Sequence, residues 1–383
     1  MNGQHTLRVF VLIDALGWQF LQGREFLSDV LTYRVPLRTV LGFSSGAIPT
    51  ILTGTPPSQN GHWNLFYYDP QGSPFRWMRP FGFFSKHLLD NRVGRKLYKE
   101  MGRRIFGLGS SFECAVSPHL MPFFNYVEKR SIYGRGGISG APSIFDRMAA
   151  DGVPYRVYSY HTATDQQILD QAQRDIQAGA AKFFFLYLSE VDALLHQQPT
   201  GGREVDGKLR SYERQLRSLF SLARKQDPQV LFTILSDHGM AAVRHRWDLV
   251  KQVESLGLQM PADYLAIYDS TMARFWFHSS KAREQIGELL SGVPCGRVLP
   301  DDELRDLGIY FEDRRYGETI LLLNPGWMLA ESDFNGRGWN PAGMHGYHPD
   351  DPDSDAVFLS NQRPSVSMHT IADVYQCMKE AMA

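Results

Sequence analysis

Four short apolar runs constrain the fold more than any other feature of this chain: LRVFVLID (7–14), FFFLYL (183–188), VLFTILSD (230–237) and DAVFLS (355–360). Each is rich in β-branched or aromatic residues and lacks polar alternation. Runs of this length fit strands buried on both faces, as in a parallel sheet. Helical patterns lie between them. SIFDRMAADG (143–152) ends in a glycine stop. EVDGKLRSYERQLRSLFSLARKQDP (204–228) lines Val205, Leu209, Tyr212, Leu216 and Phe220 along one face, with Pro228 just past its end. Strands alternating with helices predict an α/β protein: a doubly wound, mostly parallel sheet with helices on both faces.

At 383 residues the chain reads as one α/β domain, 1–383, carrying two insertions. Residues 63–135 form an aromatic and basic cap insertion, WNLFYYDPQGSPFRWMRPFGFFSKHLL and then a helix-like run to Phe106. Residues 262–330 read as a small α+β insertion. There DYLAIYDS and MARFWFHS pair as strands, KAREQIGELLSG forms an amphipathic helix, and ETILLLNPG adds a strand. From Arg76 to Arg104, nine Lys and Arg residues meet only Asp90 and Glu100. A solvated cap face with its aromatics packed inward is the favoured reading of 76–104; peripheral contact with an anionic membrane is the alternative.

The formal net charge of -1 exerts no global pull on nucleic acid, and no specific nucleic-acid binding is expected. Cys114, Cys295 and Cys377 are odd in number and far apart, as free thiols in a reducing compartment would be. The opening MNGQHTLRVFVLIDALGW lacks a basic n-region and a small-residue cleavage site. No apolar stretch approaches the ~20 residues of a membrane helix. The expectation is a cytoplasmic protein.

Ligands of open α/β sheets bind at the carboxyl ends of the strands, and metal-type side chains gather there. Asp14 ends the first run. Asp192 and His196 follow the second, four residues apart, a spacing that puts both on one face of a helical turn. Asp237 and His238 end the third, and His345 sits in the loop GMHGYHPD. Taken singly, Asp14 is a helix cap and His345 a solvated loop residue more often than a ligand. Together, three carboxylates and three imidazoles suit zinc, with manganese the alternative. Six ligands exceed one tetrahedral ion, so two divalent metal ions are expected. LGFSSGAIPTILTGTPP (41–57) sets Ser44 and Ser45 in a glycine-flanked turn ahead of a helix, PTILTG, where backbone N–H groups favour an anion. Ser45, His62 and Trp63 are candidate substrate contacts. HPDDPDSD (348–355) lacks the spacing of a calcium loop and reads as an exposed turn.

The ordered set LIDALG, a serine ten residues before the glycine of T-G, D-x-x-x-H, SDHGM and HGY resembles the alkaline phosphatase superfamily. The likeness is closest to its type I phosphodiesterase/nucleotide pyrophosphatase family and runs through residues 7–62 and 140–375. The resemblance implies that Asp14, Ser44, Asp237 and His238 hold one ion, that Asp192, His196 and His345 hold the other, and that Ser44 is the catalytic nucleophile. It implies hydrolysis of small-molecule phosphoric diesters or pyrophosphates through a phosphoseryl intermediate. A phosphomonoesterase, a phosphoryl-group transferase and a non-catalytic binding protein stay open as alternatives. Serine stands where this family mostly has threonine, and Asn60 where it has histidine.

Overall fold

The computed structural model describes residues 6–83, 100, 116–117, 119–333 and 339–380. Most of the basic run expected to front the cap lies outside those residues, as does Cys114.

Six strands form the main sheet: β1 (Arg8–Ile13), β2 (Tyr33–Leu37), β3 (Tyr155–Tyr158), β4 (Phe183–Leu188), β5 (Leu231–Leu235) and β6 (Ala356–Ser360). Their order is β2-β6-β5-β1-β4-β3. The pairs β5–β1, β1–β4 and β4–β3 are parallel. The strand β6 runs antiparallel to both its neighbours, which corrects the parallel strand expected for DAVFLS. An apolar run reports burial on both faces and carries no mark of direction. The edge strand β2 includes Pro36, whose missing N–H is tolerated at a sheet edge.

Alternate residues along the central strands feed two cores. Val9, Val11 and Ile13 of β1, with Phe184, Leu186 and Leu188 of β4, pack against the apolar faces of α1 (Asp165–Gln177) and α2 (Arg203–Gln226). In the second helix Val205, Leu209, Tyr212 and Leu216 are buried and Phe220 is partly buried against this core. Phe10, Leu12, Phe183 and Phe185 face the other way, onto Ile48, Ile51, Phe145 and Val374 from three helices. Helices cover both faces because neither face of the central strands offers a polar side.

Thr319–Leu323 and Met272–Phe277 pair antiparallel, with Tyr264–Tyr268 and Gly296–Val298 at the edges of a second, four-stranded sheet. The helix Ser280–Ser291 lies on one side. On the other, Leu265, Ile267 and Trp276 meet Phe66, Phe75, Phe124 and Tyr126, so these described aromatics between residues 63 and 135 point inward. Cys295 and Cys377 are buried free thiols. No described helix is long and apolar enough to cross a membrane.

One buried hydroxyl ties the strand ends together just ahead of Asp237. Ser236 Oγ donates to the Leu16 carbonyl at 2.9 Å and accepts the Val357 N–H at 2.9 Å. Ser236→Ala would strand both backbone groups in a dry environment. The expected cost is about 1–3 kcal/mol of unfolding free energy, read from urea denaturation.

Candidate metal centre and active-site cleft

Three parallel neighbours, β5, β1 and β4, end at one edge of the sheet and aim three carboxylates at a common point. Asp14 follows β1 directly. After β5, Ser236 and then Asp237 and His238 follow. After β4, the chain enters α3 (Glu190–Leu195), a short helix that carries Asp192 and ends at His196. Asp165, at the first turn of α1, braces that turn from behind: its carboxylate accepts the Ser189 and Glu190 N–H groups at 3.1 and 2.9 Å, and the Tyr212 hydroxyl.

His345 comes from far along the chain. Gly343 and Met344 pair antiparallel with Ala242 and Ala241, three residues beyond His238. That short ladder stacks the rings of His345 and His238 with centroids 3.8 Å apart. Gly343 also lies against His196, whose carbonyl accepts the Ala342 and Gly343 N–H groups. A Cβ at 343 would sit 2.5 Å from the Leu195 carbonyl, so only glycine permits the approach.

The result is two clusters, Asp14–Asp237–His238 and Asp192–His196–His345, each with ligand-type atoms within 4.8 Å of one another. Ser44 joins the first, its Oγ 3.0 Å from His238 Nε2. The serines differ here from their expected place ahead of a helix: Ser44 and Ser45 are the first residues of a helix that runs from Ser44 to Thr53. Their N–H groups belong to its first turn and so have no acceptor within the helix.

The donor set fits cations. His196 Nδ1 lies 2.9 Å from the Gly343 carbonyl and His238 Nδ1 3.0 Å from the Gly239 carbonyl. A carbonyl can only accept, so each Nδ1 holds the proton and each Nε2 keeps its lone pair for a metal. Asp14 uses one oxygen to accept the Tyr187 hydroxyl, and Asp237 uses one to accept the Ala15 N–H. The other oxygens, Asp14 Oδ1 and Asp237 Oδ2, are buried without a hydrogen-bond partner, as is Asp192 Oδ1. Buried carboxylate oxygens rarely stay unsatisfied. At an effective dielectric of 20, like charges roughly this close repel by about 3–4 kcal/mol, which a dication would reverse.

The cleft above these clusters has a volume of about 810 Å³. Ser44 and Ser45 line it, whereas His62 and Trp63 do not. Both are buried. Trp63 donates from Nε1 to the Leu41 carbonyl at 2.6 Å, and its own carbonyl accepts Ser45 Oγ at 2.9 Å. Asn60 closes the turn before them, donating to the Thr55 carbonyl and accepting the His62 N–H. Composition alone did not single out Glu128, Tyr133, Tyr160, Tyr187 or Trp339, which also line the cleft. The tyrosine of FFFLYL was the available signal, since a lone hydroxyl in an apolar strand needs a partner.

A family model for type I phosphodiesterase/nucleotide pyrophosphatase matches residues 10–348. The chain belongs to that family. As a member of the type I phosphodiesterase/nucleotide pyrophosphatase family, and so of the alkaline phosphatase superfamily, it is a phosphoric ester hydrolase. Similar solved structures share its fold. Murine ectonucleotide pyrophosphatase/phosphodiesterase 5, an inactive form in complex with AMP, is 15% identical over 98% of this chain and 95% of its own, with a TM-score of 0.68. Its human counterpart is 13% identical over 98% and 94%, also at 0.68. Phosphonoacetate hydrolase from Sinorhizobium meliloti, in complex with phosphonoacetate, is 13% identical over 98% and 96%, at 0.68. Comparison with curated proteins gives no match.

Burial, and then Asp237 and Asp192, push the Asp14 carboxyl well above the usual carboxylate range. Burial also raises Asp192. Burial, with His238 and His196, pushes His345 well below the usual imidazole range. A carboxyl whose folded pKa is raised favours the fold below its unfolded value of about 4 and loses that contribution as pH rises. Metal-free protein should therefore lose stability from these groups above about pH 4, and a bound dication should restore it. The melting-temperature gain on adding Zn2+ to chelator-treated protein is expected to be larger at pH 7.5 than at pH 5. Equal gains at the two pH values would remove these carboxylates from the binding site.

Proposed function

We propose that the chain hydrolyses small-molecule phosphoric diesters or pyrophosphates through a phosphoserine formed on Ser44. The observation that carries this reading is the position of Ser44: its Oγ touches the Asp14–Asp237–His238 cluster at the start of a helix that opens on the cleft. Asp14, Ser44, Asp237 and His238 would hold one divalent ion, and Asp192, His196 and His345 a second. Zinc is the better match to the imidazole and carboxylate donors and manganese the alternative. When bound, such ions lower the pKa of the serine hydroxyl and balance charge on the entering and departing oxygens.

The residues themselves account for the remainder. Ser44 Oγ lies 3.0 Å from His238 Nε2, so the nucleophile and that nitrogen's lone pair, left unprotonated because Nδ1 holds the proton against the Gly239 carbonyl, would face the same ion. Ser44 Oγ attacks phosphorus, the bond to one ester oxygen breaks, and that oxygen departs as an alcohol or phosphate with a proton. Water then attacks the phosphoserine, returning the hydroxyl to Ser44 and releasing the second product. The N–H groups of Ser44 and Ser45 favour the anionic phosphoryl group. Ser45 Oγ is committed to the Trp63 carbonyl and holds the segment in place.

Diesters and pyrophosphates are favoured over monoesters, because no lysine or arginine lines the cleft among the described residues. The second negative charge of a monoester would meet no fixed cation there. Complexes of similar structures with AMP and with phosphonoacetate support a small phosphorus-containing substrate.

Elemental analysis should find close to two zinc or manganese ions per chain. An aryl phosphodiester should turn over faster than the matching monoester. Ser44→Ala should lower diester turnover at least about a thousandfold and leave the metal content in place. Activity surviving in that variant would exclude Ser44 as the nucleophile.

A further inference from the structure

Tyr187 is the one polar side chain in β4, FFFLYL, and its hydroxyl takes no part in the chemistry above. The residue is 2% exposed, and the register that sets it beside Leu12 of β1 brings its hydroxyl to Asp14 Oδ2, to which it donates. The backbone fixes Asp14 from the next position, since the Asp14 N–H donates to the Leu188 carbonyl at 2.9 Å. The ring of Tyr187 is held in turn by Tyr133 and Tyr160, with centroids 6.1 and 5.1 Å away. Phenylalanine would fill this volume without burying a hydroxyl, as Phe183 and Phe185 do on the same face. Packing alone therefore leaves the hydroxyl unexplained.

We infer that Tyr187 is a positioning residue: it restricts Asp14 to one ligating oxygen and so makes the Asp14–Asp237–His238 cluster, with Ser44, selective for zinc over manganese. The inference rests on the two-ion reading above and deepens it.

The number of donors carries it. A carboxylate with both oxygens free can give a cation one atom or two. At Asp14 the Tyr187 proton occupies Oδ2, and Oδ1 is the buried oxygen left without a hydrogen-bond partner. Asp237 is divided in the same way: Oδ1 accepts the Ala15 N–H at 3.4 Å, and Oδ2 is left over. Ala15 makes that bond from a left-handed backbone, with φ at 58°, a conformation that costs about 1–2 kcal/mol for a residue with a side chain. His238 offers Nε2 alone, because Nδ1 lies against the Gly239 carbonyl. With Ser44 Oγ, 3.0 Å from that Nε2, each of the four residues gives one donor. Zinc favours four ligands that include nitrogen, whereas manganese favours a larger set of oxygens. Without the Tyr187 hydroxyl, Asp14 Oδ2 becomes a further oxygen donor and moves the set toward manganese. Asp192 of the other cluster opens on the cleft with its side chain 23% exposed. The restriction thus belongs to one ion and not to both.

The test removes the hydroxyl and keeps the ring. Tyr187→Phe is made in a full chain carrying His196→Ala, which leaves the Asp14 cluster complete and disables the other. Zinc and manganese affinities are then measured by chelator competition. Zinc should bind about ten- to a hundredfold more weakly, and the ratio of zinc to manganese affinity should fall at least about tenfold. In a chain carrying Asp14→Ala instead, where the Asp192 cluster remains, the same change should move zinc affinity by less than about threefold. A hydroxyl with a purely structural role would weaken both metals alike or both clusters alike. Either result overturns the inference, as does an unchanged zinc affinity. A crystal structure of the zinc-loaded, unmodified chain tests the same point without a variant. Asp14 should bind through Oδ1 with the Tyr187 hydroxyl on Oδ2, and ligation through both oxygens would overturn the inference. An unmodified chain that binds no metal sinks the two-ion reading and this inference together. Two bound ions, with a zinc-to-manganese ratio indifferent to Tyr187→Phe, sink this inference alone.

Discussion

Three buried carboxylates at the ends of adjacent strands are mutually repulsive, and the rest of the site is organised around that repulsion. Asp14, Asp192 and Asp237 would each be better off in water. The parallel pairing of β1 with β4 and β5 leaves them no such choice. Each keeps a buried oxygen without a hydrogen bond. The fold therefore stores electrostatic strain that protons or cations relieve, and the three imidazoles around it show which was selected. Those of His196 and His238 are turned by backbone carbonyls so that Nε2 faces inward.

The shells behind the ligands serve this arrangement. Asp165 anchors the turn that carries Asp192 and His196, using two backbone N–H groups and Tyr212. Thr39 donates to the Asp237 carbonyl at 2.6 Å. Trp63 holds the start of the Ser44 helix and is itself packed edge-on against Tyr316, with the guanidinium of buried Arg274 6.0 Å from its ring. Arg274 belongs to the four-stranded sheet and pairs with Asp269. The small sheet thus reaches the start of the Ser44 helix through one tryptophan. His62 and Trp63, close in sequence to Ser44, are buried and do not line the cleft.

The cleft combines a polar floor with an aromatic wall. The wall is lined by the rings of Tyr133, Tyr160 and Tyr187 and by Glu128, and no lysine or arginine joins them among the described residues. The two parts come from different stretches of chain: the floor from strand ends and the wall mostly from residues 128–161.

Much of this was legible without coordinates. The buried strands announce themselves because continuous apolar runs cannot be solvated, and the metal-type residues because acids and histidines at strand ends have few other uses in combination. The helix of residues 203–226 follows from its 3.6-residue pattern. Direction and distance were not legible. The antiparallel β6 reads like its parallel neighbours, since burial is blind to polarity. The stacking of His345 on His238 depends on a two-residue ladder between segments about a hundred residues apart, and the ring of Tyr133 lies 6.1 Å from that of Tyr187 only through packing. Local sequence thus determined which acids, imidazoles and hydroxyls stand at the strand ends, while tertiary structure decided which of them meet, because contact between distant segments is set by the whole core and not by any one stretch.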